Sequence, residues 1–293
     1  MSDAVECRKE LLMLYVPARL VRDRSFTLDS RHLPHAYQTF KGKCLHNFPR
    51  QGLNCDRAHA HLREIVADAA HPIRSTLKLA SRAYRLAVRL AGMPVWTLWK
   101  QCDTGVEIRK RAGQLALVED YATRCPCGAK KLSSYSLAKV DAAQFFKNSS
   151  MQRGVHKMKM LLDRLRRLNF IGVAVRNSKT ADGELVKHLG KKPGYRIILF
   201  DEMESLASLV AADDKFLVGQ FVVRRRTGWP MGGSLSEPAT LIDLGMEVEK
   251  WHTDPAKRQE IGWFCPSRPA LKPGQLVAGL QHVDDTLLIS RIF

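Results

Sequence analysis

The sequence predicts a layered fold of helices and strands, α/β or α+β, behind a basic and largely helical N-terminal region. Three observations carry this. Helical and strand-length apolar segments alternate through the second half of the chain. Two segments, 71–92 and 153–168, have strong helical periodicity with cations beside the apolar face. The composition, 45% hydrophobic and 26% charged over 293 residues, is that of a globular protein of one large or two modest domains.

The first forty residues are mixed and carry no assignable periodicity. From His71 a helix is expected: Pro72 suits a first turn, Gly92 a C-terminal closure, and Pro94 blocks continuation. Ile73, Leu77, Ala80, Tyr84, Ala87 and Ala91 line one face, and Arg74, Lys78, Arg82, Arg85 and Arg89 form a stripe on another. No acid interleaves with the stripe to form helix pairs, which fits contact with a phosphate backbone. Arg109, Lys110 and Arg111 fit an exposed strand or a triphosphate contact. Turn residues from Tyr121 to Ser134 place a boundary that divides the chain into 1–125 and 126–293.

Leu137 to Val140 reads as a strand, and Arg153 to Leu168 as a second basic helix with Val155, Met158, Leu162 and Leu165 inside. Met158 and Met160 read as core filler. Phe170 to Val175 is a strand, Ser178 to Gly194 a polar loop, Tyr195 to Phe200 a strand, Asp201 to Ala212 a helix and Phe216 to Val223 a strand. Ser234 and Glu237 have capping-box spacing before a helix from Leu241 to Val248. Val277 to Ile289 reads as a hairpin with Asp284 and Asp285 at its tip.

Charge and cysteine usage narrow the function. The chain has 47 Lys+Arg against 29 Asp+Glu, a formal +18, and a pI near 9.8, so polyanions are attracted and nucleic acid leads the partner classes. No apolar run reaches the roughly 20 residues of a membrane helix, and no basic amphipathic helix carries Trp or Phe on its other face. A membrane partner is not expected. Asp3, Glu6 and Glu10 fit neither a secretory signal nor a transit peptide, which implies an intracellular protein. Seven irregularly spaced cysteines are no disulfide framework. Cys44, His46, Cys55, His59 and His61 could be assembled into a zinc site, although no pair has C-x-x-C spacing and the histidines do not follow a standard finger, and Cys125-Pro-Cys127 reads as a turn.

Three segments bring specific chemistry. KVDAAQFF ends a strand with Asp141 and places Phe146 five residues later. TGWPMGGSLSEP is a glycine-rich loop opening a helix, whose N-terminus points backbone donors forward. QHVDDTLLIS sets two carboxylates between apolar runs, an unfavourable pairing unless a cation compensates. Asp213-Asp214 is an internal control for such a pair at an ordinary turn.

In this order the three resemble the catalytic motifs of reverse transcriptases and related right-hand polymerases. They are the palm strand D-x-x-x-x-F, the G-x-P-x-G loop and helix with its Ser-Pro step at Ser236 and Pro238, and the Asp-Asp hairpin at His282-Val-Asp284-Asp285. The resemblance covers about Leu137 to Phe293. It implies an α+β fold with an antiparallel polymerase palm, and RNA-directed DNA polymerisation of the retroelement kind. It implies Asp141, Asp284 and Asp285 as ligands of two magnesium ions, or manganese in their place, with the Ala142 carbonyl beside them. It implies Phe146 beneath the incoming sugar, excluding a 2′-hydroxyl. Pro230, Met231, Gly232 and Gly233 would contact the nucleotide and template base. The implied partners are an RNA template, a DNA or RNA primer and deoxynucleoside triphosphates.

Four departures stand out: His282 replaces an aromatic Tyr, Met231 stands where many relatives carry Gln, Glu237 lengthens the Ser-Pro step, and the chain ends nine residues after Asp284. The last implies a fingers and palm fragment lacking the thumb. A non-catalytic nucleic-acid-binding protein on the same scaffold is the alternative. A metal-dependent nuclease leaves the glycine-rich loop and Phe146 without a role.

Overall fold

The computed structural model describes residues 1–21, 24–40, 62–67, 69–92, 103–122, 136–141, 149–178, 182–257, 272–282 and 285–290. The expected boundary at 125/126 and the cysteine and histidine group at 44–61 lie outside them. The fold is α+β: helices pack on three sheets whose strands are antiparallel, apart from one parallel contact between His35 and Leu217.

In chain order the elements begin α1 (Ser2–Tyr15), β1 (His35–Phe40), β2 (Leu62–Ala67), α2 (Arg74–Leu90), α3 (Thr104–Ala122), β3 (Ser136–Asp141) and α4 (Met151–Arg166). There follow β4 (Gly172–Arg176), β5 (Gly183–Val186), β6 (Tyr195–Leu199), α5 (Phe200–Ala212), β7 (Lys215–Val218) and β8 (Phe221–Arg224). The chain continues with α6 (Ser236–Thr253), β9 (Val277–His282) and β10 (Asp285–Ser290). The chain forms two compact units, residues 1–91 with 146–239 and residues 92–145 with 240–293.

In the first unit α2 is the central helix. Leu77, Ala80, Ala83, Tyr84, Ala87 and Val88 are buried, and the helix contacts α4, α5 and the sheet β5-β4-β6. Periodicity specifies this burial, as expected. Met158, Leu162 and Leu165 of α4 are likewise buried, whereas Met160 is exposed, because it sits two residues from Met158 and so on another face. Asn169 ends that segment in the left-handed conformation, φ 64°, with Phe170 N–H donating to Leu165 O and Asn169 N–H to Arg166 O. This bond pair is the Schellman closure.

Several segments differ from the sequence expectation. The N-terminal region is less helical than composition implies, since β1 and β2 form an antiparallel pair in the sheet β2-β1-β7-β8. The expected strand Phe216 to Val223 is a hairpin, β7 and β8, turning at Gly219 with φ +60°. Its apolar run continues through the turn, so hydropathy alone hides the reversal. The polar loop 178–194 contains β5, which a single glycine and flanking polar residues conceal. Arg109 to Arg111 lie on α3, where Glu107 pairs with Lys110 at 3.9 Å and Arg111 at 3.8 Å. That helical spacing of acid and bases removes the strand reading.

In the second unit α3 packs on β9 and β10, with Leu115, Ala278 and Ile289 forming the core and Ile108 beside it. No helix among the described residues is long and apolar enough to cross a membrane.

A Cβ at Gly183 would lie 2.4 Å from Ala174 O and 2.5 Å from Leu86 Cδ1, so α2 approaches β5 only over a bare backbone. Gly183→Val is expected to lower unfolding free energy by about 1–3 kcal/mol through overpacking. Gly190→Ala, with nothing within 4 Å of the new atom, should change it by less than about 0.5 kcal/mol. Denaturant titration of both variants checks the pair.

Candidate active site

Strand β10 is central in the sheet β3-β10-β9. Its residues pair with β3 from Ser290↔Ser136 to Asp285↔Asp141, and with β9 from Ser290↔Val277 to Asp285↔His282. The ladder therefore ends in one row across the sheet: Asp141, Asp285, His282. Two carboxylic-acid residues far apart in sequence face each other at backbone level. Like charges in that position are destabilising without a compensating cation or proton.

Asp285 is the first ladder residue of β10 and pairs with His282, so it belongs to the strand rather than to the hairpin tip. Asp284, Ala142 and Phe146 lie outside the described residues, as does any assembly that includes them. His282 appeared in the sequence only as a replacement for an aromatic residue. The register adds that it belongs to the row of aspartates, which its position beside a turn could not indicate.

The glycine-rich loop is built in the first unit by three contacts. Trp229 is 3% exposed and lies against Gly154 of α4, where an added Cβ would be 2.7 Å from Trp229 Cζ2. Val66 N–H of β2 donates to Met231 O at 3.0 Å. The Ser236 hydroxyl donates to Pro230 O at 2.7 Å, and Gly233 N–H to the same carbonyl at 2.9 Å. Gly232 has φ +102°, and a Cβ at Gly233 would meet Pro230 and Ser236. The positive φ requires a glycine at 232, and the Pro230 ring and Ser236 hydroxyl leave no room for a Cβ at 233.

Helix α6 starts at Ser236, so Ser234 precedes the helix and is not its capping residue. Ser236 is instead drawn inward by the Pro230 carbonyl. Trp229 and Gly154 are the positioning residues that sequence reasoning missed. The available signal was Gly154 itself, a glycine inside a helix that costs about 1 kcal/mol without a packing reason.

Beside the loop is a cavity of about 30 Å³ lined by Pro34, His71, Asp213, Lys215, Pro230 and Ser234, among others. This is room for water, not for a nucleoside. Asp213 pairs with buried Arg8 at 2.9 Å and is 3.9 Å from His71 Nε2, and Asp214 pairs with Arg224 at 2.5 Å. The control aspartate pair is therefore tied to arginines. Burial holds the His71 pKa well below 6.5, with nearby Arg8 adding to the effect. Asp213 does not reverse this because Arg8 already engages it more closely.

The basic stripe of α2 divides by role. Arg74, Lys78 and Arg89 are exposed. Arg82 donates to Arg176 O at 2.6 Å and to Ser178 O at 2.7 Å, and Arg85 pairs with Glu237. Glu237, the extra residue of the Ser-Pro step, is the acid that no reading of the helix alone could supply.

No protein-family model and no curated protein matches the chain. Among solved structures, the chain is similar to telomerase from Candida albicans with a TWJ fragment of telomeric RNA, at 14% identity and TM-score 0.40. It is also similar to apo telomerase from Candida tropicalis, at 18% and 0.45, and to the same enzyme with a TWJ fragment of telomeric RNA, at 14% and 0.41. Each match covers 75% of this chain but only 28–30% of the other, so the chain spans less than a third of their length.

Gly154→Ala is expected to cost about 1–3 kcal/mol, and Trp229→Leu in the same chain to recover part of that loss. A double-mutant cycle by denaturant titration measures the coupling. His71 makes a second prediction. Unfolding frees it to bind a proton below 6.5, so stability present above that pH is lost as pH falls towards the depressed folded value. His71→Gln should flatten the melting temperature between pH 7 and pH 5 relative to the parent chain. A residual slope from His252, lowered to about 4 by burial and Arg111, should remain.

Proposed function

We propose that this chain is a reverse-transcriptase-like nucleotidyltransferase domain that extends a primer on an RNA template with deoxynucleotides. The observation that supports it most is the register of Asp141 opposite Asp285, next in sequence to Asp284. Two motifs with no sequence proximity meet at one sheet end, where the resemblance needs its carboxylates. An accidental Asp-Asp turn carries no such requirement, as Asp213-Asp214 illustrates.

In this reading Asp141, Asp284 and Asp285 would hold the two divalent ions, and the donor chemistry fits, since carboxylate oxygens suit magnesium or manganese. The bound ions would supply Lewis-acid stabilisation of the primer oxygen and the leaving pyrophosphate. The primer O3′–Pα bond would form as the bond from Pα to pyrophosphate breaks, and the primer hydroxyl's proton would pass to solvent water.

Phe146 would close the space below the sugar against a 2′-hydroxyl, and the Ala142 carbonyl would add an oxygen donor. Pro230 to Gly233 would present a fixed backbone to the nucleotide, because Trp229, Val66 and Ser236 hold the loop. Met231 contributes its side chain only, its carbonyl being bound to Val66. Arg74, Lys78 and Arg89 would meet the phosphate backbone, while Arg82 and Arg85 hold the scaffold. A retrotransposon-type element is the source that this activity implies.

Primer extension on an RNA template with magnesium and deoxynucleotides tests the reading. The parent chain should extend the primer, and Asp141→Asn should lose on the order of 100-fold or more in rate. Absence of extension by the parent, with salt-sensitive template binding retained by both, would select the non-catalytic binding reading instead.

A further inference from the structure

The segment joining β5 to β6 forms a second cationic element that the catalytic motifs do not use. Both strands pair with β4 from opposite sides and run in the same direction, so the chain must cross the sheet between them. Such a crossover ordinarily takes a dozen or more residues and a helix. Here residues 187–194 do it as a strap. Lys192 marks the path, pairing with Glu184 on β5 while its ammonium lies 4.6 Å from the Tyr195 ring centre on β6.

The strap is fixed at both ends. Ile171 N–H donates to Val186 O, Asn177 N–H to Gly194 O, and Tyr195 N–H to Lys192 O. The Lys187 ammonium stands 5.3 Å from the Phe170 ring centre. These ring contacts restrict two long side chains before any ligand arrives. Residues 187–191 are all exposed.

Charge decides what this element fits. No acid occurs between Glu184 and Asp201, and the surrounding carboxylates are already engaged. Asp201 and Glu204 are held by Arg166, Glu202 by Arg19, Glu184 by Lys192 and Asp182 by Arg176. Lys187 and Lys191 have no acidic partner among the described residues. The strap also meets the α2 stripe: Arg82 binds the carbonyls of Arg176 and Ser178, and the residue between them, Asn177, binds Gly194.

We propose that the strap binds the phosphate backbone of single-stranded nucleic acid through Lys187 and Lys191, braced by the Lys192–Glu184 pair, extending the surface begun by Arg74, Lys78 and Arg89. Binding is independent of sequence, because ammonium groups recognise phosphate charge and the rings beneath Lys187 and Lys192 are occupied by those groups. The choice of polyanion rests on the polymerase reading, whereas the placement of the site rests on the strap.

The test is titration of the full chain with fluorescein-labelled oligouridylate and oligodeoxythymidylate over a salt series. Lys187→Gln with Lys191→Gln should flatten the log affinity against log salt slope by about 1.4, from about 0.7 per phosphate contact on a single strand. The corresponding double Arg variant should restore it, and both should melt like the parent. Asp141→Asn should retain the parent slope, which separates backbone binding from catalysis. An unchanged slope in the Gln variant, while Arg74→Gln with Arg89→Gln reduces it, would overturn the strap proposal and leave the polymerase reading intact. Absence of salt-sensitive binding by the parent would overturn both. Loss of binding to phosphatidylserine vesicles with an unchanged oligonucleotide slope would assign the strap to a membrane and overturn the proposal.

Discussion

Strand β10 hydrogen-bonds along both sides, and its register is the constraint on which the catalytic reading depends. Ile289 is 1% exposed and packs with Leu115 and Ala278. A slip by one residue would turn it to the other face of the sheet and lose this core. The same register sets Asp285 opposite Asp141 and His282. Apolar packing thus fixes a row of ionisable residues that electrostatics alone would disfavour. Burial of Ile289 against Leu115 and Ala278 supplies the free energy that holds this register.

The first unit solves a different problem, the distribution of excess positive charge. Its acids are concentrated on a few arginines that brace the scaffold: Arg166 takes Asp163, Asp201 and Glu204, and Arg8 takes Asp213. This pairing leaves Lys187, Lys191, Lys78 and Arg89 facing solvent without acidic partners among the described residues. The glycine-rich loop is held by Trp229 packing, backbone bonds and the Ser236 hydroxyl.

The sequence legibility of these features follows the range of the forces. Helix α2 was readable because its apolar and basic faces repeat within one turn, and β3, β4, β6 and α5 because their patterns are local. The hairpin at Gly219 was hidden because the apolar run continues through its turn, and β5 because it is short and polar. Ser234 and Glu237 matched a capping box by spacing, yet the Pro230 carbonyl and Arg85 claim Ser236 and Glu237 through contacts distant in sequence.

By itself the sequence determined the basic character, the helical faces of α2 and α4, the mixed α+β class and the three motifs that carry the resemblance. Those properties reside in composition and short-range periodicity. Only tertiary structure decided that Asp141 pairs in register with Asp285, that Trp229 rests on Gly154, and that Arg82 and Arg85 serve the scaffold while the 187–194 strap stays cationic. Each of these depends on groups many residues apart, and chain packing alone determines which of them meet.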